Sequence, residues 1–286
     1  MRRCSPSCSP LWSRPTSTEG TSRLDVALVD RGLARSRNHA AQLVRDGLVR
    51  VDGRAMMKPA SLVGPTQLLE VDDLGDQWVS RAAHKLVAAL DEFGIDPRGM
   101  TVVDAGASTG GFSHVLLARG ARRVIAVDVG HGQISPQLAE YQADGRLTSI
   151  EGMNVRDLAP AFVAEHAMGR EVDLVVGDLS FISLRLVIPP LVTAAPLADL
   201  ILLIKPQFEV GRGGVKEGIV RDAGLREDAI MDVLWSAHDA GLKVAGLAAS
   251  PITGTHGNVE FLTRLSPRVG GDPSEWSGHA HRLART

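Results

Sequence analysis

Two sets of residues in this chain have the types and spacing to do chemistry. The first is Lys85, Asp178, Lys205 and Glu260. Lys205 closes the apolar run Leu200 to Ile204 and precedes Pro206, which ends the strand and turns the ammonium toward a crevice. A lysine withdrawn from water there is costly unless carboxylates stand beside it. Asp178 in Gly-Asp-Leu-Ser-Phe and Glu260 in Gly-Asn-Val-Glu-Phe lie at strand ends that can supply them. Lys85, after Ser80-Arg81 on a helix, adds a second ammonium. Such a set can move a proton or balance charge on a developing oxyanion. As a purely structural network it would tie a sheet edge together.

The second set is the turn between Val102 and Phe112. A β-branched run enters the small residues Gly106, Ala107, Ser108, Thr109, Gly110 and Gly111, and an amphipathic stretch (Phe112, Val115, Leu116, Leu117) leaves them. That is strand, tight turn and helix start, where an open α/β sheet holds a nucleotide-like ligand. The same letters match G-x-S-x-G, the nucleophile elbow of a serine hydrolase, with Asp178 or Asp199 and His256 as later triad partners. Three residues favour a cofactor. Asp104 can orient the turn or a ligand amine, Asp128 ends the second strand where ribose hydroxyls need a carboxylate, and Asn154 follows the third strand near an adenine. NAD(P) and S-adenosylmethionine share this geometry. The dinucleotide fingerprint wants glycine at the position of Ser108, so the turn suits one nucleoside better than a pyrophosphate.

These groups need a sheet to position them. From Trp78 onward strand and helix patterns alternate, with strands expected at 101–105, 123–129, 147–151, 172–178, 200–205, 243–248 and 259–265. Ser80 is the expected cap of the helix carrying Leu86, Val87, Leu90 and Phe93, and a long helix runs from about Leu225 to Ala240. Alternation predicts a mostly parallel sheet with helices on both faces. No helical pattern separates the last two strands, so they should pair antiparallel at one edge.

Ahead of the sheet, residues 23–74 read as a small α+β unit: a helix from Leu24, a second capped by Ser36, and short strands around an Asp52-Gly53 turn. From Arg31 to Lys58 the cations Arg31, Arg35, Arg37, Arg45, Arg50, Arg54 and Lys58 are opposed only by Asp46 and Asp52, a local +5 in a chain of net charge −2. That face suits phosphate contact; a merely solvated surface is the plainer alternative. Residues 75–79 read as a linker, 80–267 as the second domain, and 1–22 and 268–286 as a disordered extension and tail. The extension has no apolar core for a secretory signal and is expected to precede the natural start. Cys4 and Cys8 lack further ligands, so no metal is expected, and a cysteine-free remainder suits a reducing cytoplasm. No apolar stretch approaches the roughly 18–20 residues that span a bilayer.

The N-terminal unit resembles the S-four-like RNA-binding module, through Ser22-Arg23-Leu24-Asp25, Ala34-Arg35-Ser36-Arg37 and Gly47 to Gly53. Lys85, Asp178, Lys205 and Glu260 match the Lys-Asp-Lys-Glu tetrad of FtsJ-like ribose 2′-O-methyltransferases. With the module in front, the chain resembles the TlyA family, also labelled haemolysin A. Val-Ser-Arg-x-x-x-Lys-Leu, Asp-x-Gly-Ala-Ser-Thr-Gly-Gly-Phe, Val-Asp-Val-Gly-x-Gly-Gln, Asp-Leu-Ser-Phe-Ile-Ser-Leu, Lys-Pro-Gln-Phe-Glu and Gly-Asn-x-Glu-Phe carry it, from about Arg23 to Leu265.

The resemblance implies a Rossmann-like class I methyltransferase sheet, mostly parallel with an antiparallel last edge strand, behind a small α+β RNA-binding domain. It implies S-adenosyl-L-methionine as methyl donor and a cytidine 2′-hydroxyl in ribosomal RNA of assembled subunits as acceptor. Lys205 would act as base or as the cation beside the alkoxide, with Lys85 as its charged neighbour and Asp178 and Glu260 holding both ammonium groups. Arg23 and the basic face would bind RNA, with Arg212, Lys216 and Arg221 steering the target strand. A cytoplasmic monomer is expected. A pseudouridine synthase with the same module would need no adenosyl cofactor, and a haemolysin would need membrane-active segments.

Overall fold

In the computed structural model, residues 21–34, 36–45, 47–71, 78–211, 214–215, 217–254 and 257–286 are described. Of the expected site residues, Arg35, Arg212 and Lys216 lie outside them, as do His256 and most of the expected linker.

The N-terminal unit follows its local signals. Strand β1 (Ser22–Arg23) leads into α1 (Leu24–Asp30) and α2 (Arg37–Arg45). The Ser36 hydroxyl accepts the His39 backbone N–H at 3.2 Å, the expected cap. Strands β2 (Val49–Val51) and β3 (Arg54–Ala55) form a hairpin whose turn residues Asp52 and Gly53 both have positive φ, 49° and 76°. Strand β4 (Leu62–Val63) pairs with β1, and β5 (Leu69–Val71) with β2. Leu24, Leu28, Ala40, Val44 and Val49 are fully buried in its core.

The second domain is one seven-stranded sheet. Helix α3 (Ala83–Glu92) precedes β6 (Thr101–Ala105), α4 (Gly111–Ala118), β7 (Arg123–Asp128), α5 (Ala139–Ala143) and β8 (Leu147–Glu151). Then come α6 (Pro160–His166), β9 (Leu174–Gly177), α7 (Ile188–Ala194), β10 (Asp199–Ile204), α8 (Pro206–Glu209), α9 (Ala223–Asp239), β11 (Lys243–Ala249), β12 (Phe261–Ser266) and α10 (Pro273–Leu283). The strand order is β11-β12-β10-β9-β6-β7-β8. The chain runs outward from β6 through β8, then returns to β9 on the other side of β6, so the crevice opens where β6 and β9 end. The last two strands pair antiparallel as expected; β12 lies between β10 and β11 and is antiparallel to both. Alternate residues feed two cores. Val103, Ala105, Ile125 and Val127 face one, and Val102, Val124 and Ala126 face the helices α3 and α4.

Two expectations fail. Ser80 does not cap α3, which begins at Ala83; its hydroxyl instead lies against Gly111, at the first turn of α4, where any Cβ would collide with it. Residues 268–286 are not a disordered tail. Asp272 and Glu275 form a capping box, Pro273 occupies the first turn, and α10 buries Ala280 and Ala284 against α9 and β11. The glycines before it turn the chain onto the sheet, where Gly271 bridges to Val244.

Candidate active site

The ends of β6, β9 and β10 open into a cleft of about 870 Å³ lined by Lys85, Asp104, Asp128, Asn154, Asp178, Lys205 and Glu260. All four members of the ionisable set converge there from four elements. Lys85, on the first turn of α3, places Nζ 2.6 Å from Glu260 Oε2 and 3.2 Å from Asp178 Oδ2. Lys205, just past β10, places Nζ 2.7 Å from Asp178 Oδ1 and donates to Ser180 Oγ at 2.9 Å. Asp178 Oδ1 has no directed hydrogen bond, so its link to Lys205 is carried by charge and not by an aligned N–H.

The set is buried, with Lys85, Lys205 and Glu260 all under a tenth exposed. Burial alone would raise the Asp178 carboxyl, yet the ammonium groups of Lys205 and Lys85 hold it at about 2. Burial pulls the Lys85 ammonium down, and the carboxylates of Asp178 and Glu260 more than offset that and keep it charged. Gly254 makes room for this arrangement: a Cβ there would collide with the Glu260 carboxylate.

The glycine turn forms the other wall. Gly106, at φ +83°, approaches Leu179 where a Cβ would sit 2.9 Å from its Cδ2. Ser108 is also left-handed, at φ +48°, and its backbone N–H donates to Asp128 Oδ2 at 2.9 Å. Gly130 N–H donates to the other Asp128 oxygen at 2.7 Å, so the carboxylate is fixed while its remaining lone pairs stay available. Ala107, Thr109, Gly111 and Phe112 line the cleft; Gly110 does not, and instead starts α4 with φ +89°. Asn154 caps the turn after β8 by accepting from Arg156 N–H at 3.0 Å.

Asp104 is the most perturbed residue of the cleft. It is 1% exposed, Ser113 donates to its Oδ2 at 2.6 Å, and its Oδ1 has no hydrogen-bond partner. Burial, with like charge from Asp128 and Asp178, pushes its carboxyl up to about 7 against the Ser113 bonds. A buried acceptor left open beside a cleft is a place for a ligand donor.

Five residues of the cleft or its supports escaped the sequence reading: Ser113, Ser180, Phe181, Gln207 and Asn258. Phe181 is 86% exposed at φ +65°, 5.3 Å from the Phe208 ring. Gln207 Oε1 is buried and unpartnered at the cleft wall. Asn258 ties the segment before Glu260 to Gly218 and Val220. All but Ser113 lie within the quoted motifs, but letters do not say which side chain faces inward. Among the described residues lining the cleft there is no histidine; His256, the base drafted for a nucleophile elbow, lies outside them.

The basic residues are scattered. Arg23 forms a two-pronged ion pair with Asp25, at 2.9 and 3.0 Å, and Arg37 reaches the same carboxylate at 3.5 Å. Arg31 donates to the carbonyls of Gly64, Pro65 and Gln67, which bind it to its own domain. Arg50, Arg54 and Lys58 are exposed, and Arg45 reaches the cleft rim. Arg221 pairs with Glu217 at 3.5 Å.

Comparison with known proteins agrees with this geometry. The family model for FtsJ-like methyltransferases matches residues 78–266, and that for the S4 domain matches residues 22–69. The 16S/23S rRNA (cytidine-2′-O)-methyltransferase TlyA of Mycobacterium tuberculosis is 49% identical over 246 residues, covering 85% of this chain and 89% of that protein. Hemolysin A of Brachyspira hyodysenteriae is 37% identical over 85% of this chain and 99% of its own. A solved Streptococcus thermophilus structure that carries the hemolysin name superposes with a TM-score of 0.68 at 35% identity, over 93% of this chain and 97% of that one.

Proposed function

Because the chain belongs to the TlyA family of FtsJ-like methyltransferases, we propose that it methylates the 2′-hydroxyl of a cytidine in ribosomal RNA, within assembled subunits in the cytoplasm. The observation that carries this reading is the buried set itself, two ammonium groups sharing Asp178 beneath an open cleft. Bound S-adenosyl-L-methionine supplies an electrophilic sulfonium methyl.

The residues fit that donor. Asp104, with its unpartnered Oδ1, would take the amino group of the methionine end, and a cation there favours its ionised form. The Gly106–Phe112 turn gives close backbone approach, Asp128 would accept the ribose hydroxyls, and Asn154, also lining the cleft, would meet the adenine. Ser108 contributes backbone and contact, with no covalent role.

A ribose hydroxyl is a weak nucleophile, and its oxygen gains negative charge only as its proton departs, here to solvent water in the open cleft, while the sulfonium sulfur keeps the electron pair of the methyl bond it gives up. Lys205 supplies positive charge beside that oxygen; Ser180 accepts from its ammonium, and Asp178 holds it by charge. Lys85 stays charged and holds Asp178 and Glu260 in place, which balances the set at zero net charge. Phe181 at the mouth offers a π-face to the target base, and Gln207 Oε1 an acceptor to its edge. Arg37, Arg45, Arg50, Arg54 and Lys58 would bind backbone phosphates, with Arg221 beside the cleft loop. Some relatives carry the hemolysin name; among the described residues no helix is long and apolar enough to cross a membrane.

The test supplies methyl-labelled S-adenosylmethionine with unmodified small and large subunits separately and maps the labelled ribose. Label on a cytidine 2′-oxygen, in one or both subunits, is expected. Label on a base, or none on either subunit, overturns the reading.

A further inference from the structure

We infer that Glu209 is a positioning residue for the acceptor side of the reaction, clasping the loop after β9 to the helix after β10 so that Ser180 and Phe181 hold their places. The inference rests on the methyltransferase reading above, since those two residues are the ones assigned to Lys205 and to the target base.

Glu209 is 5% exposed and does not line the cleft. A carboxylate in that position is expensive unless hydrogen-bonded, and both of its oxygens are used on the same neighbouring loop. Ser183 Oγ donates to Oε2 at 2.5 Å, and Leu184 N–H donates to Oε1 at 2.8 Å. Arg185 adds its guanidinium, 3.7 Å from Oε2, and donates to the Glu209 carbonyl at 3.1 Å. Burial pushes the carboxyl upward, against these bonds.

The clasp is the last of three contacts in register between the two loops. Lys205 meets Asp178 and Ser180, the Phe208 ring meets Phe181, and Glu209 meets Ser183 and Leu184. Between the first and last of these sits Phe181, whose left-handed φ of +65° is unfavourable for a bulky side chain. Such a conformation persists only where the surroundings over-determine it. Lys205 fixes one side and Glu209 the other. Without the clasp, the loop is free to relax Phe181 into the extended region and to carry Ser180 away from Lys205.

The experiment compares Glu209→Ala, Glu209→Gln and Ser183→Ala by amide hydrogen exchange on the full chain, S-adenosylmethionine calorimetry, and steady-state methylation of the subunit that wild type modifies. Glu209→Ala should raise exchange at 181–184 about tenfold or more while β9 stays protected and donor affinity is unchanged. Its kcat/KM for the subunit should fall ~10- to 100-fold, as a displacement of about 1 Å implies. Glu209→Gln keeps an acceptor for Leu184 N–H and should recover most of both. Wild-type exchange and wild-type kcat/KM in Glu209→Ala would overturn the inference, as would equal loss in Glu209→Gln. If Glu209→Ala does not fold, Ser183→Ala leaves the Leu184 bond to Glu209 in place, removes the Oε2 bond together with the Ser183 bonds to Arg185 N–H and Nε, and must show the same pattern, smaller; wild-type behaviour there is fatal to the idea. Absence of methyl transfer by wild type would instead sink the proposed function, and the exchange arm would still decide whether the clasp holds the loop.

Discussion

One sheet carries a buried charge cluster at each end, and the two are built to opposite rules. At the floor, Asp199 at the start of β10 accepts from Arg264 Nε and Nη2 at 3.1 and 2.7 Å, from Ser266 Oγ at 2.7 Å and from Arg268 at 3.2 Å. Every acceptor is used, and the planar guanidinium fork of Arg264 locks β12 against β10. At the cleft end the cations are lysines, point charges on flexible stems, and Asp178 Oδ1 and Asp104 Oδ1 have no directed partner among the described residues. A satisfied cluster fixes geometry, whereas one with open acceptors is completed by a ligand.

The largest effect expected from breaking this contrast is at Lys205. Lys205→Ala should cut kcat ~10²- to 10³-fold, the usual cost of one preorganised charge at a developing oxyanion. Donor affinity measured by calorimetry should stay within about twofold, because Lys205 faces the acceptor; near wild-type turnover would return the set to a structural role. Asp199→Ala should do the reverse. Stranding Arg264, the cation of the pair withdrawn from water, should cost about 3 kcal/mol of stability in denaturant melts, roughly 10²-fold in the folding equilibrium, with donor affinity intact.

Asp104 gives the third test. Its carboxyl lies near 7 in the folded protein and near 4 unfolded, so the ligand-free fold loses stability as pH rises from about 4 to 7. A cationic ligand needs the ionised form, so S-adenosylmethionine affinity should rise about tenfold between pH 6 and pH 7.5. Asp104→Asn should flatten that profile, weaken binding at pH 7.5, and remove the stability slope. An unchanged profile in the variant would show that Asp104 does not meet the donor. The smallest effects belong to the basic face: Arg50→Glu with Arg54→Glu should weaken RNA binding a few-fold and flatten the salt slope by roughly 0.7–0.9 per lost phosphate contact. An unchanged slope would leave Arg50 and Arg54 as solvated surface.

Much of this was legible in the sequence because it is local. The β-branched run before Gly106 and the apolar run before Lys205 mark strands that the fold places within a residue or two. Ser36, Asp52 and Gly53 fulfil their turn and cap signals in place. Ser80 misled because a serine before an apolar helix has two uses, capping and packing, and the second depends on Gly111 in another element. Helix α10 was missed although Asp272-Pro273-Ser274-Glu275 is a helix start; its burial requires α9 and β11, which lie far off in sequence.

The sequence by itself determined which residue types stand where chemistry could be done: a small-residue turn between strand and helix, two lysines and two carboxylates at element ends, and a basic module in front. Types and spacing suffice there, because backbone permissiveness and side-chain charge are properties of single residues. Only the tertiary structure decided that Lys85 holds Glu260 and Asp178 while Lys205 turns to Asp178 and Ser180, and that Asp104 keeps an acceptor open. These contacts join residues up to 175 positions apart. Their geometry comes from strand order, and strand order is set by packing the whole sheet.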